Sequence, residues 1–477
     1  MGTQGCMYDN LIRHNPLDGR QTIIPDLAHS WEIARDDKTY TFFLRKGVKF
    51  HDGADFTAED VKATYARIVW PPAGVSIPRT PLFATVSEIN VRDAYTIEFK
   101  LHEPRPASFM LAAFATGWNV IVRKQTLEDN NYNLRRVMNY PGTGPFRHVR
   151  RVDKEVWVVE KNRDYWNEGL PYLDGIEFYN FAGFSPELGA ALLTRRIDYG
   201  RLLDPVTLRK AQATPGMSGT AFYQSAIHAV MVNNANKPFD DPRVRRALHL
   251  VFNRSVLIEA VKDIAPMLIG GFIYPFSEFA TPPAKLSERL GYQADPTAAI
   301  KEARQLMAAA GYAKGLKGVD WLVRDGALTK LWAVAIQAML KDALNVEATL
   351  RIVQVTNWFD DAQAGRFDLA SSPVVSTLMD PSDYFHSWYG KDGPQNYSRW
   401  SHQAFQALVD QIDRELDETK RKALVAQADT IEQDPPVLPV SWEKINDAWY
   451  NYVKGHNPYN YFGMFDVVRF DTVWLDV

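Results

Sequence analysis

Among 477 residues the chain has one cysteine, Cys6. A single thiol builds neither an internal disulfide framework nor a thiolate metal cluster; packing inside a helix is the role expected for Cys6. Long apolar runs are also missing. The most apolar stretch, Met110 to Val122, is interrupted by Thr116, Gly117 and Asn119, whereas a membrane-spanning helix needs about 20 consecutive apolar residues. Met1 to Gly5 places no apolar stretch ahead of Cys6, so neither a signal peptide nor a lipoprotein cysteine is expected in this sequence. The net charge is −3 with no basic block, which argues against a nucleic-acid partner.

Signatures of catalysis are absent as well. Ten histidines occur, but none pair at H-x-x-x-H spacing. Gly-x-Ser-x-Gly, the P-loop and the H-E-x-x-H helix are all missing. Gly142-Thr-Gly144 begins like a dinucleotide fingerprint, yet Arg147 stands where the third glycine belongs and Pro145 blocks the helix. The acidic pairs Asp240-Asp241 and Asp360-Asp361 read as a helix cap and a polar segment, with no spacing that defines a glycosidase. His51 and His102 fall beside turns and read as plain turn or surface residues. No cofactor, no metal site and no enzymatic activity are expected.

What is present is the composition of a soluble globular protein, 46% hydrophobic and 23% charged. The length implies two or three structural units. Aromatic residues make up 12%, with 13 Trp and 21 Tyr. Most belong in cores, but rings that combine an apolar face with one polar atom also suit a ligand cleft.

In the first hundred residues, short strands alternate with turns. Thr39 to Arg45 and Tyr95 to Leu101 read as strands, and Gly47 to Gly53 as a strand ending in a turn. Thr57-Ala-Glu-Asp60 has capping-box spacing ahead of an apolar stripe at Val61, Tyr65 and Ile68. Pro141-Gly-Thr-Gly-Pro-Phe146 is a fixed, irregular connection. Strands are expected at Val156–Glu160, Gly175–Phe181 and Ala226–Asn233, and a helix at Glu187–Arg195. Asp and Pro242 start a helix whose buried stripe is Val244, Ala247, Leu248 and Val251. A helix from Asp295-Pro296 towards Gly311, another over Thr329–Leu344 and a strand over Val346–Val353 then alternate, as in an α/β lobe. A charged amphipathic helical zone follows from Gln403 to Ile431.

The order of these motifs resembles the family 5 extracellular solute-binding proteins, the oligopeptide-, dipeptide- and nickel-binding subunits of bacterial ABC importers. Leu27-Ala-His-Ser-Trp-Glu32, Gly47-Val-Lys-Phe-His-Asp-Gly53 and Phe56-Thr-Ala-Glu-Asp-Val61 carry the resemblance near the start. Gly142-Thr-Gly-Pro-Phe146, Arg163-Asp-Tyr-Trp166, Pro238-Phe-Asp-Asp-Pro-Arg-Val-Arg245, Ala309-Ala-Gly-Tyr312, Gly365-Arg-Phe-Asp368, Asp380-Pro381 and Asn396-Tyr-Ser398 continue it in order.

The resemblance implies a mixed α/β (α+β) fold of the large, three-domain periplasmic-binding-protein type, with two lobes around a ligand cleft. Domain I would combine residues 1–20, 146–235 and 441–477, domain II would span 21–145, and domain III 236–440. Residues 141–145 and the crossing near Asn233-Asn234 are either hinges or packing elements. Family members also carry some tens of residues ahead of the position of Tyr8.

The implied role is a monomer that captures a small-molecule ligand, peptide or non-peptide, in the periplasm and delivers it to the membrane permease of an ABC importer. A hydrolase on a similar scaffold and a sensory binding module are the alternatives. The implied ligand contacts are Pro373, Val375 and Thr377, with Asp380 nearby and Tyr384, Trp388, Tyr389 and Trp118 as walls. Each of these aromatics serves equally well as core. Thr377 stands where peptide binders of the family place an aspartate against the peptide's ammonium. A hydroxyl brings no balancing charge, which points to a neutral or non-peptide solute such as a glycoside, an opine-like conjugate or a blocked peptide. Nickel binders of the family use a chelate with little direct side-chain ligation, so the absent histidine clusters leave nickel open.

Overall fold

The capping box is present as its spacing predicts: the Thr57 amide donates to Asp60 Oδ2 at 2.9 Å and starts helix α1, Ala58–Val69. The computed structural model describes residues 4–16, 18, 22–75, 77–135, 137, 139–375, 378, 380–429, 431, 434–456 and 469–477, with only the backbone of 223–225. Two units emerge, one of residues 1–223 and 445–477, the other of residues 224–444.

In the first unit, strands β1 (Ala28–Ile33), β2 (Thr39–Leu44), β3 (Val86–Asp93) and β4 (Thr96–Leu101) form an antiparallel sheet in the order β1-β2-β4-β3. Its core is aromatic. The Phe99 ring lies 4.8 Å from Phe114, 5.1 Å from Tyr65 and 5.8 Å from Phe42. Tilted and edge-on pairs of this kind stabilise beyond the area they bury. The segment Gly47–Gly53 departs from the strand expected of it. Gly47 and Gly53 take φ of +75° and +85°, and only the isolated bridge Lys49–Asp55 forms, because left-handed backbone at both ends folds the segment into turns.

A second sheet joins β5 (Phe146–Val152), β6 (Val156–Lys161) and β7 (Gly175–Tyr179) in sequential order. Between the two sheets runs the Gly-Pro segment 141–145. A Cβ on Gly142 would sit 2.0 Å from the Met7 carbonyl oxygen, and one on Gly144 2.4 Å from the Met7–Tyr8 peptide. His51 locks the same segment: Nδ1 accepts from the Gly142 amide at 3.3 Å, and Nε2 donates to the Gly144 carbonyl at 3.0 Å. Residues 141–145 are therefore a packing clamp inside one unit, and His51 does more than occupy a turn. Cys6 is fully buried in this neighbourhood, in a short 3-10 turn.

Charge is also buried in this unit. Arg469 Nη1 lies 2.8 Å from Asp9 Oδ1 and 2.8 Å from Asp26 Oδ1. Thr143 and Trp166 each donate to Asp9 Oδ2 at 2.9 Å. The C-terminal segment is tied to the N-terminal one through this cluster.

The chain passes between units inside two long strands, β9 (Met217–Val232) and the strand Val437–Tyr450. In the first unit β8 (Tyr199–Arg201) pairs antiparallel with the latter, Gly200 opposite Ala448. The crossings fall at 223/224 and 444/445. Asn233 lies within the second unit, where its side-chain amide donates to the carbonyls of Gly365 and Phe367 at 3.1 and 2.9 Å. It pins a loop there.

After β9 the second unit continues with α2 (Pro242–Leu250), capped by Asp241, with Val244, Ala247, Leu248 and the following Val251 buried as expected. After α3 (Thr297–Ala309) comes an alternating stretch: β10 (Leu316–Arg324), α4 (Ala327–Leu344), β11 (Val346–Val353), α5 (Val355–Ala364) and β12 (Leu369–Val375). β10 pairs in parallel with β11 on one side and β12 on the other. β9 then runs antiparallel to β12, Ala226 opposite Val375. The helical zone near the C-terminus resolves into α6 (Gln403–Arg414) and α7 (Glu418–Ala428). Beyond them lies β13 (Val437–Tyr450), which reaches β9 in the strand order and pairs with the short strand Met267–Leu268 on its other edge.

Candidate functional site

Strand β10 sits where the topology divides. The crossover from β10 leads to β11 on one side, and the next crossover returns to β12 on the other. Crossover connections are right-handed, so the carboxyl end of β10 is the switch point at which open α/β sheets bind ligands. The last residue of β10 is Arg324.

The Arg324 side chain is half-buried, and its Nη1 donates to Ser372 Oγ at a long 3.4 Å. Among the described residues no carboxylate pairs with it. Burial pushes the guanidinium below its usual value, with no anion to offset the effect. The neighbouring arginine behaves in the opposite way. Arg351 lies 2.9 Å from Asp320 and is also paired with Asp361, and these partners raise it. Asp361 further holds Arg366 at 2.6 Å, which accounts for the Asp360-Asp361 segment without acid–base chemistry.

Ser372 leads directly into the stretch assigned from sequence. Pro373 lies opposite His228 and Val375 opposite Ala226 in the β9–β12 ladder, both half-buried. Thr377 lies outside the described residues. Asp380 caps the short helix Pro381–Tyr384, accepting from the Ser382 amide at 2.9 Å. Both of its oxygens are also taken by Arg421. Asp383 accepts from the Leu378 amide at 3.1 Å and from Ser387 Oγ at 3.4 Å. These two carboxylates are committed to holding their own segment.

The aromatics that follow are interior residues of the second unit. Tyr384, Trp388 and Tyr389 are 4–5% exposed. Tyr384 packs edge-on to Trp442 at 6.2 Å, Trp388 to Tyr397 at 6.0 Å, and Tyr389 to Phe272 at 5.7 Å. Phe385–Tyr389 forms one π-turn, a local widening that is frequent at functional sites. Trp118 belongs to the first unit, in the turn after Ala107–Ala115. It is half-buried, with the Arg79 guanidinium 5.7 Å from its ring centroid.

Two features of this region escape a sequence reading. Arg324 has a visible signal, a charge ending the apolar run Trp321-Leu-Val323. The second is a buried polar group made of His228, Trp332 and Glu443, residues too far apart in the chain for any motif to join them. His228 Nε2 is 3.6 Å from Glu443 Oε2, and the His228 and Trp332 rings are 6.4 Å apart. No group of three or more His, Cys, Asp or Glu suited to hold a metal occurs among the described residues. No helix among them is long and apolar enough to cross a membrane.

The second unit is an alternating α/β unit with a topological switch point at β10. Comparison with known proteins gives the family. The model of the bacterial extracellular solute-binding proteins, family 5 (middle), matches residues 22–396, and the chain belongs to that family. A di/tripeptide-binding protein of Pseudomonas aeruginosa strain UCBPP-PA14 is 28% identical over 473 residues, covering 92% of this chain and 84% of that protein.

Among solved structures, the ABC transporter-associated periplasmic binding protein DppA from Helicobacter pylori, in complex with the peptide STSA, superposes with a TM-score of 0.83. It shows 24% identity over 100% of this chain and 93% of that one. The binding protein AgaA from A. tumefaciens R10, in complex with agropinic acid, gives 0.84 at 22% identity over 100% and 94%. The expected fold class holds: the chain has the mixed α/β fold of these proteins. The chain is accordingly a solute-binding protein of the group that serves ABC importers, and its family and relatives are binding proteins.

Proposed function

We propose that this protein captures a small solute bearing a carboxylate in the periplasm and delivers it, as a monomer, to the membrane permease of an ABC importer, without chemically altering it. Arg324 is the observation that carries the solute class. A half-buried guanidinium at the end of a central strand, with no carboxylate paired to it among the described residues, is costly unless an anion completes it, and its planar fork matches a carboxylate. The family and the relatives' named ligands support the transport reading, since a peptide and agropinic acid both carry carboxyl groups. The absence of a nucleophile and base pairing in the sequence disfavours the hydrolase alternative.

Pro373, Val375 and Thr377 remain the proposed contacts along the solute's length, with Trp118 as a further wall and Tyr384, Trp388 and Tyr389 backing the segment from inside the second unit. The three-domain division 1–20 with 146–235 and 441–477, 21–145, and 236–440 is likewise a proposal. Micromolar affinity requires about −8 kcal/mol, of which one charge-assisted pair contributes roughly 1.5–3 kcal/mol.

Mass spectrometry of small molecules that copurify with the protein, followed by calorimetry with a di- and tripeptide library and its C-terminal amides, tests the reading. Free acids should bind more tightly than amides, and Arg324→Gln should erase that preference, a loss of about 10- to 100-fold. Equal binding of acids and amides by the unaltered protein would sink the carboxylate assignment.

A further inference from the structure

The chain leaves the first unit at 223/224 and re-enters it at 444/445. Any movement of one unit against the other therefore bends the backbone at these two crossings. Phe222 and Ile445 of the first unit flank them, both buried, and Leu202 packs against the pair. Leu202 does so in an unfavourable backbone. Its φ is +61°, and that of Phe184, whose amide donates to the Leu202 carbonyl at 2.6 Å, is +60°. For a bulky side chain the left-handed region is an outlier, because Cβ crowds the following carbonyl oxygen. Such residues persist only where their surroundings hold them, and they gather at switch regions.

What holds Leu202 is the strand that has just crossed. The Leu203 amide donates to the Asn446 carbonyl at 3.0 Å, and the Asn446 side-chain amide donates back to the Leu203 carbonyl at 2.9 Å. Arg201 lies opposite Asp447 in the β8–β13 ladder, with its guanidinium 5.8 Å from the Phe222 ring centroid. The same two residues of β13 carry a second cost. Oδ1 of Asn446 and Oδ1 of Asp447 are buried without a hydrogen-bond partner among the described residues, although Asp447 Oδ2 accepts from Tyr199. Successive side chains of a strand point to opposite faces, so no single bound group accounts for both. Unmet buried acceptors are uncommon and mark strain. Strained backbone at 202 and unmet acceptors at 446 and 447 thus coincide beside one crossing.

We infer that Leu202, gripped through Asn446 and seated against Phe222 and Ile445, is a latch on the hinge: residues 201–203 have two arrangements, and the change between them accompanies the bending of the crossings. This inference rests on the solute-capture reading above, to which it adds what sets the balance between the two states. In the arrangement described here Leu202 is left-handed. In the other it returns to negative φ, its side chain leaves Phe222 and Ile445, and the grip of Asn446 is broken. The strain narrows the gap between the two states, as a protein that must also release what it captures requires.

The test compares Leu202→Gly with Leu202→Ala in the full chain. Both remove the contacts with Phe222 and Ile445, but only glycine takes positive φ without strain. In ordinary backbone the alanine variant is the more stable; here the glycine variant should melt higher. Hydrogen exchange at the Leu203 amide should be slower in Leu202→Gly than in Leu202→Ala by about 5-fold or more. Spin labels at Ser87→Cys and Gln305→Cys, both exposed and one in each unit, read the movement without any solute, and Cys6, fully buried, takes no label. The ratio of the two label distances should differ between the glycine and alanine variants by about 5-fold. Phe184→Gly and Phe184→Ala repeat the comparison should the first pair fold poorly. A higher melt for alanine at the tested position overturns the inference, as does one unchanged set of label distances in both variants. Calorimetry of free acids against amides is scored apart. An Arg324-dependent acid preference beside unchanged label distances removes the latch and leaves the solute reading standing. The expected shift in label distance without any acid preference supports the latch and removes the carboxylate assignment.

Discussion

Asp380 and Arg421 meet as a two-pronged pair, with Nη1 and Nη2 of the arginine each 2.7 Å from a carboxylate oxygen. Both side chains are largely buried, at 10% and 5% exposed. Arg421 also donates to the Ile412 carbonyl at 3.0 Å, so the pair fastens the Asp380–Tyr389 segment to the end of α6. Breaking a buried pair leaves one charge uncompensated. Asp380→Ala should lower unfolding free energy by about 3 kcal/mol in urea titration, with solute preference by calorimetry unchanged. A lost preference with unchanged stability would instead make Asp380 a ligand contact.

The clamp at 141–145 admits no side chain. Gly144→Ala forces a Cβ into the Met7–Tyr8 peptide, and a stability loss of at least about 4 kcal/mol is expected, the range reserved for gross steric or packing failures. His51→Phe keeps the volume but strips the Gly142 amide of its side-chain partner and leaves the Gly144 carbonyl only the Asn162 amide at 3.0 Å, a loss of about 1–3 kcal/mol. Thermal melts of the two variants should rank in that order.

Arg469 is nearly fully buried between Asp9 and Asp26. Arg469→Met should cost about 3–5 kcal/mol, because two carboxylates lose one counter-charge in a dry site. If denaturant titration shows no change, the cluster contributes specificity of arrangement rather than stability.

Asp447 gives a pH signature. Burial pushes its carboxyl up to about 6 from 3.8, opposed by the Arg201 charge and by a hydrogen bond from Tyr199. Between about pH 4 and 6 the folded chain holds a proton that the unfolded chain has released, so this group's contribution is full below pH 4 and declines as pH rises to 6. His456, held at about 4 by burial and then by Arg201, has the opposite slope, with stability lost as pH falls from its ordinary range towards 4. The two partly cancel in the whole protein. The difference between the unaltered chain and Asp447→Asn isolates the first: relative to the variant, the unaltered protein should lose about 3 kcal/mol from pH 4 to 6.5. A flat difference across that window would show that Asp447 ionises normally.

Local chemistry in the sequence was enough to place many elements. Thr57 and Asp60 are three apart and close their own cap. Val244, Ala247, Leu248 and Val251 follow helical spacing and are buried, and Val346–Val353 is a strand at the predicted bounds. Each such feature depends on residues within a turn or two of one another, so the linear order already contains the contact. Motif order likewise supplied the family.

Tertiary structure decided the rest. Gly47–Gly53 gave up its strand to two left-handed glycines. The first half of Met217–Val232 joined a strand expected only from Ala226, because pairing partners elsewhere in the chain extend it. Tyr384, Trp388 and Tyr389 suit a cleft and a core equally well in sequence, and only packing against Trp442, Tyr397 and Phe272 put them inside. Arg324 acquires meaning because β11 and β12 flank its strand and no carboxylate among the described residues pairs with it. Glu443 and His228 are 215 positions apart in the chain and meet only because β9 and β13 are neighbours in one sheet. Sequence fixes what each residue can donate, accept or bury; which partner it lacks depends on non-local strand pairing, which is set by the folding of the whole chain.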